Sequence, residues 1–165
     1  MTKTSSRMAA DPGTARPTMV SKPTAPQVLD SDWAAFIDKL EAAELEFAQG
    51  RPAGLKALWS HRNDVSICGA FGGVVSGWKE VATRLDWASS QYSEGSRGRE
   101  EITRSVGVDF AYVAQTEWIR SRVGRNAESS LQELRVTMVF RRQADGWRII
   151  HRHADPLLRT QPPTS

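Results

Sequence analysis

At 165 residues, 39% hydrophobic and 25% charged, the chain is long enough for one domain with a real core and too short for two ordinary ones. Its +3 charge sits mostly in the first 30 residues, where four basic residues meet two acidic ones. The rest holds 18 against 17, which argues against a nucleic-acid partner. No run approaches the ~18 apolar residues of a membrane span, no secretory signal opens the chain, and the single Cys68 cannot form an internal disulfide, so a cytoplasmic protein is expected.

Residues 1–29 contain four of the eight prolines and almost no large apolar side chains, and they are expected to be a disordered tail, as are residues 159–165. Between them, 30–158 reads as one domain. Asp30 and Ser31 offer helix caps, and Trp33, Phe36, Ile37, Leu40 and Phe47 follow at helical spacing up to Gly50. Pro52 suits a first helical position for a short second helix over about 52–59, carrying Leu55, Leu58 and Trp59. Residues 64–70 alternate and then meet Gly72 and Gly73, which predicts two short strands around a turn. These glycines are not a phosphate loop, because no Gly-Lys-Ser/Thr follows. Cys68 lies in an apolar run and reads as a small buried hydrophobe.

Ser76 can cap a third helix, in which Trp78, Val81, Leu85 and Tyr92 recur at helical intervals up to Gly95. Strands are expected over 99–108 and 110–122. The polar stretch 124–130 then leads into a hairpin, with strands over 131–142 and 147–153 around an Asp-Gly turn. The whole is an α+β arrangement: three helices from the N-terminal half on one face of a curved, largely antiparallel sheet, enclosing a cone with an interior pocket.

Strict alternation puts Val136, Met138, Phe140, Trp147, Ile149, His151 and His153 on the inward face of the hairpin. Arg135, Thr137, Val139, Arg141, Arg148, Ile150 and Arg152 then face outward. On that parity the candidate catalytic residues are His153, with Asp155 to orient its ring, and His151, as general bases or as donors to a ligand carbonyl. Structural imidazoles bonded to backbone or to Asp155 are the alternative. Trp59, Trp78, Trp118, Met138 and Phe140 are the candidate ligand-binding walls, Trp118 being favoured over Glu117 because Tyr112 and Ala114 share its parity. No serine or cysteine can be set beside His153, so no nucleophilic triad is drawn. Two histidines on one strand, with His61 the only other imidazole, make only part of a metal site, and no metal or cofactor is assigned.

Leu58-Trp59-Ser60-His61 before Asp64-Val65, Gly77-Trp78 opening the third helix, and Leu134-Arg135-Val136-Thr137 through Gly146-Trp147 to His151-Arg152-His153-Ala154-Asp155 together resemble the nuclear transport factor 2-like superfamily, in its SnoaL-like and ketosteroid-isomerase-like branch. The likeness covers about residues 31–157. The final Gly-Trp and His-x-His also resemble the last strand of the calcium/calmodulin-dependent protein kinase association domain. The resemblance implies a conical fold, a homodimer through the outer sheet face, and a small hydrophobic molecule in the cone as partner. It also implies either an isomerase, cyclase or hydrolase working by acid/base chemistry, or a non-catalytic assembly or ligand-sensing module. One departure is plain: residues 32–49 contain no tyrosine to serve as the oxyanion donor of the ketosteroid isomerases.

Overall fold

The computed structural model describes residues 25–123 and 128–158. The expected tails over 1–24 and 159–165 lie outside the described residues. Helix α1 spans Ala25–Phe47, and thus begins within the segment the sequence assigns to the tail, five residues ahead of the Asp30 cap. It is followed by α2 (Ala53–Leu58), β1 (Ser66–Cys68), β2 (Val74–Ser76), α3 (Trp78–Ser90), β3 (Tyr92–Val106), β4 (Phe110–Val123), β5 (Ser129–Gln143) and β6 (Gly146–Pro156). Among the described residues no helix is long and apolar enough to cross a membrane.

The strands form one mixed, open sheet in the order β2-β1-β6-β5-β4-β3, with β1 parallel to β6 and the other neighbours antiparallel. The three helices pack on its concave side, as the pattern of apolar positions requires. At one end of the cone Trp33 and Phe36 of α1 meet Phe140 edge-to-face, with centroids 5.1 and 5.6 Å away, and Trp33 meets Trp147 at 5.2 Å. That end is filled solid by rings. At the other end β3 must bend around the end of α1. Gly95 allows the approach: a Cβ there would sit 2.0 Å from the Ala48 carbonyl oxygen. The neighbouring Glu94 adopts φ 53°, and the β3–β4 register slips between Ser93 and Ser96.

The hairpin departs from strict alternation at one residue. Arg142 pairs with Trp147 and Phe140 with Ile149, as its turn predicts, but the next pair is Val139 with His151. Ile150 is an extra residue, a β-bulge, and beyond it every side chain changes face. Met138 therefore lies opposite Arg152 and Val136 opposite Ala154, instead of opposite the histidines. Arg152 and Ala154 point into the cone; His151 and His153 stand on the convex side.

Candidate functional site

The concave face that the bulge supplies with Arg152 carries a network of charges where apolar side chains would ordinarily stand. Glu44 comes from the inner face of α1, Arg97 and Arg99 from alternate positions of β3, Gln115 and Glu117 from alternate positions of β4, and Arg152 from β6. Arg97 Nη1 lies 2.7 Å from Glu44 Oε2 and its Nη2 lies 3.4 Å from Glu117 Oε2. Arg152 Nη2 donates to Glu117 Oε2 at 2.8 Å, and Gln115 Nε2 donates to Glu117 Oε1 at 2.7 Å. Arg99 donates to Gln115 at 3.2 Å and to Glu41, extending the chain of bonds to the surface. Both central carboxylates are buried, Glu44 with 7% and Glu117 with 3% of its surface exposed.

Burial of two carboxylates side by side forces their affinities for protons apart. Desolvation, then the charge of Glu117, pushes the Glu44 carboxyl up to about 7 against the opposing pull of Arg97. Burial also pushes Glu117 up, but the guanidiniums of Arg152 and Arg97 and the bond from Gln115 outweigh it and hold it below its ordinary value. Glu117 is thus the fixed anion and Glu44 the proton-exchanging group. Arg97 Nη2 makes no hydrogen bond among the described residues although it is buried. Its nearest carboxylate oxygen, Glu117 Oε2 at 3.4 Å, balances its charge without accepting a hydrogen bond, so this nitrogen is ion-paired but still has an N–H to offer.

Glu44, Arg97, Glu117 and Arg152 form one wall of a cavity of about 60 Å³ between the sheet and the helices. The remaining walls are apolar, from Phe47, Leu55, Ile67, Leu85 and Ile119, with Tyr92 beside them. Burial raises the Tyr92 hydroxyl to about 12, so it stays protonated, and it donates to Gln132 at 2.9 Å. Phe71, in the loop between β1 and β2, lines the cavity and packs against Tyr92 and Trp87, with ring centroids 5.4 Å from each. Arg84 ties that loop down by donating to the Gly72 carbonyl at 2.6 Å. As it stands the space has room for a few waters and is well below the ~300 Å³ of an ordinary ligand pocket.

None of the sequence-selected residues lines this cavity. His151 is half-buried on the convex face, its Nδ1 2.8 Å from Ser66 Oγ, and burial, then the neighbouring His153, lowers its pKa. His153 is exposed there and is paired through Nε2 with Asp155 at 3.0 Å, the one expected contact that is present. Trp59, Met138 and Phe140 are buried in the core, and Trp78 stacks on His61 at 4.0 Å. Trp118 is 42% exposed on the convex face, across Gly98, whereas Glu117, the residue set aside in its favour, points inward. Cys68 is half-buried rather than core, and faces outward. The signal for the true parity of β4 was present: Ala111, Val113 and Ile119 share a face with Gln115 and Glu117, and all five are buried.

The SnoaL-like domain model matches residues 34–158. Among solved structures, a candidate dehydratase of the nuclear transport factor 2-like family from Streptomyces avermitilis is 25% identical and superposes with a TM-score of 0.68, covering 82% of this chain and 100% of its own. A nuclear transport factor 2-like superfamily protein from Salmonella enterica is 17% identical, with a TM-score of 0.67 over 83% of this chain and 96% of its own. A ketosteroid isomerase-like protein from Erwinia carotovora atroseptica is 13% identical, with a TM-score of 0.59 over 80% and 95%. Among curated proteins none matches.

Proposed function

The chain belongs to the SnoaL-like domain family, and from that premise we propose that it binds a small, largely apolar carbonyl compound in the cone and moves a proton on it through Glu44. The observation that carries this reading is the pairing, in one apolar cavity, of a carboxyl with a pKa of about 7 and a buried Arg97 Nη2 that is ion-paired with Glu117 at 3.4 Å but makes no hydrogen bond. A ligand carbonyl oxygen set against Arg97 Nη2 would meet that donor, and negative charge developing there as an enolate would be stabilised by Arg97 and Arg152. Glu44 could take the proton from the adjacent carbon in its ionised form and return it elsewhere, as an isomerase, cyclase or dehydratase requires. Its pKa near neutrality suits both directions of transfer. A ligand of more than a few heavy atoms enters by lifting Phe71, and Gly72 and Gly73, with φ of 81° and 78°, are the backbone joints on which the loop turns.

The test is deuterium incorporation from heavy water into the α-positions of a panel of cyclic ketones and enones, followed by NMR. Wild-type protein should accelerate exchange for at least one member. Glu44→Gln should slow that exchange by about 100-fold while ligand-observed NMR still detects binding. If no member binds, or exchange survives the substitution, the proposal is wrong.

The convex face favours a second, compatible role in assembly. Ile102, Phe110, Tyr112 and Trp118 of β3 and β4 are all more than 40% exposed, and an apolar patch of this kind on a sheet fits a second copy packed across a two-fold axis.

A further inference from the structure

The bulge at Ile150 that turns the histidines away from the cone sets them beside a thiol. In the parallel register of β1 and β6, Ser66 lies opposite His151 and Cys68 opposite His153, all on the convex face. We propose that Cys68, His151 and His153 bind a divalent transition-metal ion of the zinc class there, with a fourth coordination position open to solvent. One ring nitrogen of each histidine and the Cys68 sulfur all lie within 4.8 Å of one another. Zinc holds neighbouring nitrogen and sulfur ligands roughly 3.5 Å apart, given bonds of about 2.0 and 2.3 Å. Small side-chain rotations close that difference.

The surroundings of the three donors supply what a metal centre needs beyond its ligands. His153 Nε2 is engaged with Asp155 at 3.0 Å, which leaves Nδ1 as its coordinating atom. His151 Nδ1 is engaged with Ser66 Oγ at 2.8 Å, which leaves Nε2. Each imidazole is thus oriented through one ring nitrogen, and the Asp155 carboxylate, which can only accept when ionised, also favours the Nε2–H tautomer of His153, the arrangement in which metal-ligating histidines are held. All three donors stand on paired strands, so the backbone between them is rigid. A thiolate and two imidazoles select zinc, cobalt or copper over calcium and magnesium. On binding, the Cys68 thiol loses its proton to solvent.

Full-length, tag-free, chelator-treated protein titrated with Zn²⁺ against a chromogenic chelator should take up one ion per chain. With Co²⁺ as the probe, a thiolate-to-metal charge-transfer band should appear together with ligand-field bands of tetrahedral intensity. Cys68→Ser should abolish the charge-transfer band, and His151→Gln and His153→Gln should each weaken Zn²⁺ binding at least tenfold. Asp155→Asn, which removes only the orienting partner, should weaken it by about 10-fold to 100-fold, and His61→Gln, which alters the imidazole stacked on Trp78, should leave it unchanged. Circular dichroism checks each fold; should Cys68→Ser misfold, the exposed His153→Gln carries the test. Failure to take up Zn²⁺ stoichiometrically, or uptake that the Cys68, His151 and His153 substitutions leave unaltered, overturns the proposal.

Discussion

Glu44 ties the chemistry of the cone to its stability. An acid whose folded pKa lies above its unfolded one binds its proton more tightly in the native state, so its contribution to stability is lost as pH rises between the two values. For Glu44 that window runs from about 4.5 to about 7. Glu117 works in the opposite sense: its lowered pKa adds stability that disappears only as pH falls below the ordinary carboxylate range. Above pH 5 the Glu117 contribution is constant, and the lowered pKa of His151 acts against Glu44, adding stability as pH rises toward 6.5, so the difference between wild type and Glu44→Gln is what isolates Glu44. Urea denaturation should show wild-type stability falling relative to Glu44→Gln between pH 5 and pH 8, by on the order of 3 kcal/mol, whereas Glu44→Gln by itself should lack that fall and rise slightly as His151 loses its proton. Equal slopes for the two proteins would mean that Glu44 is ionised throughout and unsuited to proton transfer at neutral pH.

At the scale of the element, backbone irregularities decide what faces the cone. The order of helices and strands, the turn of the hairpin and the inward placing of Trp33, Phe36, Phe140 and Trp147 were legible, because these residues lie at helical or alternating positions that only one side of the sheet can bury. That their rings fill one end of the cone, Phe140 included, was not. The site was not legible on the same terms. A single extra residue, Ile150, inverts the parity of everything after it, and an isoleucine in a run of Arg-Ile-Ile-His carries no mark that distinguishes a bulge from regular strand. On β4 the error had a different origin: Tyr112, Ala114 and Trp118 look like the more apolar face, but their apolar surface is on the convex side, and the buried face tolerates Gln115 and Glu117 because Arg97, Arg99 and Arg152 satisfy them. Gly95 is the irregularity most open to test. Its missing Cβ lets the end of α1 lie against β3, and the obstructing atoms are the backbone carbonyl of Ala48, which cannot swing aside. Gly95→Ala should cost about 3 kcal/mol and lower Tm by roughly 10 °C. Gly98→Ala is the control, since the atoms nearest its new methyl all belong to the Trp118 indole, at 2.6 Å, a side chain rather than backbone; its loss should be smaller.

For the whole molecule, the sheet divides the labour between its two surfaces. The concave one is closed by helices and holds the carboxylate and guanidinium network. The convex one presents Ile102 of β3 with the aromatic residues of β4, and its sulfur and imidazole donors on β1 and β6, with β5 between. An exposed row of rings along β4, flanked by Ile102, is costly in water, and the proposed two-fold dimer would remove it. Trp118 is the residue on which to test that dimer, because it lies flat against Gly98 in the midst of the patch and contributes nothing to the cone. An isologous interface presents each residue twice, so one introduced charge is duplicated across the axis and both copies must be desolvated together. Trp118→Glu should therefore convert a dimer into monomers in sedimentation velocity while leaving far-UV circular dichroism and the pH response of Glu44 intact. Wild-type protein sedimenting as a monomer at the same concentration would instead leave the convex aromatic patch free for a partner other than a second copy.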